Sequence, residues 1–322
     1  MMKVSVVGCG RWGSLITWYL AEKKGLNLTL YGRESSEHIQ RFIKERRNDL
    51  LTLPDSVKVT TNLDCLRDAD VIVISINSQG LAAFMEEIKP LELRNKIFVL
   101  CMKGIDIVTG RRLSEVAQAG TDRSNKIAVW IGPGHVQEFY AGIPNCMVID
   151  SEDEETKRLL VESFSSDLIR FYYGEDMIGN EIGAAAKNVI GIAAGMLDGY
   201  GLSTLKGALM SRGCREVARL ISAMGGNELS AYGLCHLGDY EATVFSKFSH
   251  NRAFGEMFVK GERLDKLAEG YYTVKALMSL SEKHGVDMPI CRAVYEIIYE
   301  SRDAKETFAH LFERSIKTEF YK

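Results

Sequence analysis

The chain has 322 residues, is 46% hydrophobic and carries a formal net charge of -3. That length favours two domains with ample material for two cores, and the charge excludes a global basic field for nucleic acid or a membrane surface. The seven cysteines (Cys9, Cys65, Cys101, Cys146, Cys214, Cys235 and Cys291) form no C-x-x-C pair, so reduced thiols in a cytoplasmic protein are expected, with no disulfide frame and no metal site.

No apolar run reaches the roughly 20 residues that span a bilayer. Residues 3–8 are apolar but are cut short by glycines, unlike a leader's apolar core. Lys3-Val-Ser-Val-Val-Gly reads as a buried strand. It runs into Gly8-Cys-Gly-Arg-Trp-Gly13, a G-x-G-x-x-G turn, with a helix predicted over Ser14 to Lys24. Strand, glycine turn and helix are the context of a dinucleotide site. Gly8 permits the tight turn, Gly10 lets backbone approach a pyrophosphate, and Gly13 lets helix and strand pack closely. Leu26 to Tyr31 is the second strand. An NAD site would end it with an acid for the ribose 2′-OH, but the chain reads Tyr31-Gly-Arg33-Glu34. Arg33 suits a 2′-phosphate and favours NADPH; the alternative is NADH with Glu34 on the ribose.

A charged helix falls within 37–54, and strands follow at 57–61, 69–77 and 97–102. The last two are apolar throughout, as central parallel strands are. Asn77-Ser-Gln starts a helix that lies beside the cofactor in a doubly wound sheet. Lys103-Gly104 sits at a strand's C-terminal end, where ligands bind in open α/β sheets. The strand 127–131 ends in Gly132-Pro-Gly134-His135, offering exposed backbone N–H groups beside the same crevice; His135 is more naturally structural than ligand-binding. A strand at 145–150, a helix at 152–163 and a strand at 169–173 complete an α/β doubly wound, Rossmann-like parallel sheet.

The pattern then becomes helical only. We place the boundary near Gly174 to Ile178, giving a dinucleotide-binding domain at 1–176 and an all-α C-terminal substrate and catalytic domain at 177–322. Ile178 to Gly195 reads as a helix despite four glycines, each costing about 1 kcal/mol relative to alanine. Gly183, Lys187 and Gly191 share one face, so another element must approach closely there. A lysine on so apolar an element is depressed in pKa if buried and can serve as a general acid or base. A loop follows at 198–203 and a helix at 204–224. Asp239 lies in a loop and Thr243 one turn later. Ser249-His-Asn-Arg252 is read as a compact polar loop suited to an anion. Glu269-Gly270 opens a helix, and Met288-Pro289 precedes the last one.

These residues resemble the bacterial NAD(P)H-dependent sn-glycerol-3-phosphate dehydrogenases over nearly the whole chain. The marks are Gly8-x-Gly-x-Trp-Gly13, Lys103-Gly104, Gly132-Pro133, Gly183-Ala-Ala-Ala-Lys-Asn-Val-Ile190, Leu237-Gly-Asp239, Asn251-Arg-x-Phe-Gly255 and Glu269-Gly270. The resemblance implies that Lys187 is the general acid/base and that Lys103, Asp239, Ser249 and Asn251 surround the phosphorylated substrate. It implies that Arg11, Trp12, Arg33 and Glu269 line the cofactor, and that the protein is a homodimer. In that scheme Asp239 orients Lys187, Thr243 and Asn188 add hydrogen bonds, and Lys103 lowers the pKa of Lys187 by like charge. The chain departs from the family at three positions: Gly134 stands for a substrate-contacting serine, His250 for a phosphate-holding arginine, and Val136 for an alanine near the nicotinamide. Either Arg252 and Lys103 compensate, or the substrate is another small 2-hydroxy or 2-keto anion. A non-catalytic dinucleotide sensor would keep the glycine turn without needing Lys187 and Asp239.

Overall fold

The computed structural model describes residues 2–262, 268–316 and 318–319. The first half alternates strand and helix. β1 (Lys3–Val7) leads into α1 (Arg11–Glu22), which starts at Arg11 rather than Ser14 because Gly10 takes the N-cap position in extended backbone. β2 (Asn27–Tyr31), α2 (Glu37–Glu45) and β3 (Lys58–Thr60) follow. Next come β4 (Val71–Ile74), α3 (Leu81–Ile88), β5 (Ile97–Leu100), α4 (Leu113–Ala119) and β6 (Lys126–Ile131). α5 (Val136–Tyr140), β7 (Asn145–Ser151), α6 (Glu154–Phe164) and β8 (Ile169–Tyr173) complete the sheet.

The eight strands lie in the order β3-β2-β1-β4-β5-β6-β7-β8. All neighbours are parallel except β6 and β7, which pair antiparallel. The doubly wound sheet is therefore mixed, not wholly parallel. An antiparallel return needs no helical crossover, so the short α5 suffices between β6 and β7. β4 and β5 are buried on both faces. The chain order reverses between β1 and β4, which opens a crevice beyond their C-terminal ends.

The second half is helical: α7 (Met177–Gly199), α8 (Lys206–Ala223), α9 (His250–Val259), α10 (Glu269–His284), α11 (Pro289–Tyr299) and α12 (Ala304–Phe312). The segment read as a polar loop at 249–255 is the start of α9. Ser249 caps it, its hydroxyl accepting from the Arg252 N–H at 3.2 Å.

α7 runs through the middle of this half, and its glycines have packing reasons. A Cβ on Gly191 would stand 2.6 Å from Thr243 Cγ2, and one on Gly183 would stand 3.0 Å from His236 Cβ. Where α7 crosses α9, a Cβ on Gly195 would meet the Arg252 carbonyl oxygen at 1.9 Å, and one on Gly255 would meet that of Ile192 at 2.0 Å. Bare backbone thus meets bare backbone, and the cost of glycine in a helix is offset by packing no other residue allows. No helix among the described residues is long and apolar enough to cross a membrane.

Candidate active site

The crevice beyond β1 and β4 measures about 1110 Å³. Gly8 turns there at φ +104, and a Cβ on it would strike the Ser75 carbonyl oxygen at 2.2 Å. A Cβ on Gly13 would sit 1.9 Å from the Gly8 carbonyl oxygen, whereas one on Gly10 would meet nothing within 4 Å. Gly8 and Gly13 therefore close the turn, and Gly10 leaves bare backbone open to the crevice at the start of α1. An anionic pyrophosphate fits that cradle, because the first-turn N–H groups and the helix dipole both favour negative charge.

Gly8, Gly10, Arg11, Trp12, Arg33, Lys103, Gly134, Asn188, His250, Asn251 and Glu269 all line this crevice. Arg33 is half exposed and held by a salt bridge to Glu87. The Arg11 guanidinium donates to His250 Nε2 at 3.3 Å and to Gln137 Oε1 at 3.1 Å, bridging the glycine turn to α5 and α9. Glu269 accepts from the Ser78 hydroxyl at 3.2 Å, and burial pushes its carboxyl up to about 7.

At the base of the crevice three chain segments converge on one carboxylate. Asp239 is 1% exposed. Its Oδ2 lies 2.5 Å from the Lys103 ammonium and 3.0 Å from that of Lys187. Lys103 comes from the end of β5, Lys187 from the glycine face of α7, and Asp239 from a 3-10 turn at Leu237–Asp239. Lys187 also donates to Thr243 Oγ1 at 2.7 Å, and that hydroxyl donates to the Asp239 carbonyl at 2.7 Å. Thr243 lies in a π-helical turn, Glu241–Phe245, a rare form frequently found at functional sites. Burial lowers the Lys187 pKa to about 8; the Asp239 carboxylate opposes the shift and Lys103 adds to it. A lysine so tuned holds a proton at neutral pH and can release it, as a general acid requires.

Lys103 also donates to the Gly132 carbonyl at 2.6 Å. Gly132 therefore also contributes a carbonyl to the site. An amide chain braces the site from the other side. Asn188 donates to the Lys103 carbonyl at 3.3 Å, Asn251 donates to Asn188 Oδ1 at 3.0 Å, and the Gly270 N–H donates to Asn251 Oδ1 at 2.9 Å.

Three expected residues lie elsewhere. Helix α9 turns Arg252 away from Asn251, so its guanidinium pairs with Asp198 at 2.6 Å and with Glu256 at 3.4 Å. Val136 is buried in the core below the crevice with Phe139. Ser249 is buried as the cap of α9 and lines a neighbouring hollow with Arg11 and His250. Gly134 borders the crevice at φ +139, and the Phe139 ring stands 2.3 Å from where its Cβ would be. The His135 ring packs on Phe248 at 5.6 Å, and burial lowers its pKa.

The sequence places Asn77-Ser-Gln beside the cofactor but assigns Ser78 no partner, and its bond to Glu269 comes from the fold. Sequence reasoning missed Ile76, Phe84 and Met102, apolar crevice walls that read simply as core.

A glycine-turn crevice beside a buried, tuned lysine and its carboxylate defines a nicotinamide-dinucleotide-dependent dehydrogenase. Residues 3–157 match the family described as NAD-dependent glycerol-3-phosphate dehydrogenase N-terminus, and residues 176–309 match its C-terminus. The chain is 35% identical to a glycerol-3-phosphate dehydrogenase [NAD(P)+] of Chlorobium limicola, over 99% of this chain and all of the other. It is 34% identical to one from Clostridium botulinum, over the full length of both. The crystal structure of glycerol-3-phosphate dehydrogenase from Coxiella burnetii superposes with a TM-score of 0.90 at 29% identity, covering 97% of this chain and 99% of the other. The chain belongs to the NAD(P)-dependent glycerol-3-phosphate dehydrogenase family and is an oxidoreductase of that family.

Proposed function

We propose that the chain interconverts dihydroxyacetone phosphate and sn-glycerol 3-phosphate, with Lys187 as proton donor in the reductive direction. The observation that carries this reading is the buried Lys187, lying 3.0 Å from Asp239 with its pKa lowered to about 8. When bound, the nicotinamide supplies the hydride. Lys187 holds the proton that the developing alkoxide needs, and Asp239 and Thr243 fix the direction of its ammonium. Lys103 raises the positive potential at the crevice floor. Arg252 is committed to Asp198 and Glu256, so the substrate phosphate falls to Lys103, His250, Asn251 and the N-terminal turn of α9.

Gly10, Arg11 and Trp12 would hold the pyrophosphate. Arg33, beside the strand end where a ribose acid is absent, supports NADPH over NADH. Glu269 and Ser78 would meet the nicotinamide end. The sheet's last strand ends at Tyr173 and α7 starts at Met177, which supports a domain boundary at residue 176. We further infer a cytoplasmic homodimer that supplies sn-glycerol 3-phosphate for phospholipid synthesis. Free thiols at all seven cysteines support the compartment, and the family resemblance supports the dimer.

The direct test is NADPH oxidation with a panel of phosphorylated and unphosphorylated ketones, for the parent protein and for Lys187→Met. Turnover confined to dihydroxyacetone phosphate and lost in the variant is expected. A preference for an unphosphorylated keto acid, or full activity without Lys187, would sink the reading.

A further inference from the structure

His236 and Tyr240 are wholly buried, and neither lines the crevice. His236 Nδ1 lies 2.8 Å from the Gly183 carbonyl oxygen. A carbonyl only accepts, so Nδ1 carries the hydrogen. Nε2 then accepts from the Tyr240 hydroxyl at 2.8 Å. Burial pushes the imidazole pKa down to about 4, so the ring is neutral and its tautomer is defined by its two partners.

The placement of these bonds links them to the acid–base pair. Gly183 is one helical turn before Lys187, so its carbonyl is the one that accepts the Lys187 backbone N–H in a regular helix. Its missing side chain lets His236 reach that carbonyl. Asp239 lies between His236 and Tyr240, and Thr243 one turn beyond. The backbone here is irregular: His236 precedes a 3-10 turn at φ -125, ψ -82, and a π-helical turn follows. Such backbone does not hold itself in place and needs tertiary ties. The histidine supplies one to α7. The Tyr240 hydroxyl supplies the return bond and packs toward α8, where a Cβ on Gly213 would stand 3.2 Å away.

We propose that His236 and Tyr240 are positioning residues that set the separation of Lys187 from Asp239 without touching substrate or cofactor. The inference rests on the reading of Lys187 as proton donor. The ionisable groups facing Lys187 are Asp239 and Lys103 directly, with Glu269, His135 and His236 further off. Asp239 is the group that most favours the ammonium. If the 236–243 segment loosens while α7 stays packed, Lys187 remains buried but loses that support, and its pKa falls.

The experiment follows kcat for dihydroxyacetone phosphate reduction by the full chain, at saturating NADPH, between roughly pH 6.5 and 9.5, a span bracketing the expected acid. In His236→Ala, kcat should drop by about 10-fold or more, as for other small misplacements of reacting groups. The pH midpoint should move down by about half a unit, with KM for NADPH unchanged. His236→Asn keeps a donor nitrogen near the position of Nδ1 and should restore most of both. Tyr240→Phe, which keeps the ring, should shift the midpoint in the same direction by less, and it carries the test if His236→Ala does not fold. A midpoint unchanged or raised in both His236→Ala and Tyr240→Phe, with only the melting temperature lowered, would overturn the proposal. Retained turnover in Lys187→Met, run alongside, would instead overturn the reading beneath it.

Discussion

Lys187 reaches Asp239 at 3.0 Å on the oxygen that Lys103 already holds at 2.5 Å. Two ammonium groups on one carboxylate oxygen leave a net positive charge under the crevice floor. That charge favours an alkoxide over a neutral carbonyl, which is the change the reaction makes.

Replacing Lys187 should therefore cost rate rather than binding. Lys187→Met keeps the volume and should lower kcat by about 10²–10⁴-fold, the usual worth of a positioned acid. NADPH affinity, measured by fluorescence titration, should hardly change, because the glycine-turn cradle lies on the other half of the chain. Near-parental kcat would remove Lys187 from the chemistry.

The pH dependence of the two directions should be opposite in sign. Lys187, with a pKa lowered to about 8, is protonated below that value and so competent to donate. Reduction should slow as pH rises through about 8, and oxidation of glycerol 3-phosphate should quicken over the same range. Initial rates at saturating substrates in both directions check this; parallel profiles would contradict it.

Arg33 bears on cofactor choice, and Glu87 competes with any phosphate for its guanidinium. Glu87→Gln should release the arginine and tighten NADPH by a few-fold, the order expected of a screened surface pair, with little effect on NADH. Arg33→Asp should weaken NADPH and bring the two cofactors together or reverse their order. Equal binding of both cofactors in all three proteins would exclude Arg33 from the 2′-phosphate.

Restoring the family's serine at Gly134 should not be neutral. Position 134 has φ +139, and its Cβ would meet the Phe139 ring at 2.3 Å. Gly134→Ser alone should destabilise by about 2–4 kcal/mol from strained backbone and overpacking together. Thermal melting reads the loss. Phe139→Ala costs core volume itself but removes the clash, so the double variant should be more stable than the sum of the two single losses predicts.

Stability should fall with rising pH through a group remote from the crevice. Glu216 is buried and accepts from the Ile290 and Cys291 N–H groups, at 2.9 and 3.0 Å, at the start of α11. Burial raises its carboxyl from 4.5 to about 7. Between those values the folded chain keeps a proton that the unfolded chain has lost, so unfolding is favoured as pH rises. The full effect is on the order of 3 kcal/mol for a shift of that size. In Glu216→Gln the amide oxygen accepts one of the two bonds and the NH2 cannot accept the other, so the variant should melt below the parent near pH 5. It cannot titrate, so that gap should narrow or reverse at pH 8. An identical slope in both proteins would show that Glu216 does not titrate in this range.

The sheet and the long helices were legible because their signals are local: apolar strand runs, the glycine turn, and alanine filling α7. The antiparallel β6–β7 pair was not, since an apolar run carries no direction. Nor was helix α9. Ser249-His-Asn-Arg252 is polar enough to read as a loop, and its helix is stabilised by Gly255 seating against α7, which is tertiary packing. Lys187 stood out because no apolar helix carries a lysine without reason. Arg252 misled because a charged residue shows no preference between substrate and Asp198 until the helix orients it. His236 and Tyr240 were passed over, although an i, i+4 polar pair flanking Asp239 was the available signal.

The crossing of α7 and α9 has a consequence for how the molecule tolerates change. At Gly195 and Gly255 the two helices touch through carbonyl oxygens, with no side chain between them. The gap is therefore a main-chain contact radius, the same whatever residues fill the surrounding core. Asn188 and Asn251 sit on these two helices and share a 3.0 Å bond. Core substitutions elsewhere can soften the helical half without altering that spacing. A single methyl at either glycine must wedge the helices apart and break the amide chain from Lys103 to Gly270, so tolerance to mutation should drop abruptly at these two positions, and less sharply at Gly199, where a Cβ would meet the Val259 side chain at 2.4 Å and the Glu256 carbonyl oxygen at 3.0 Å.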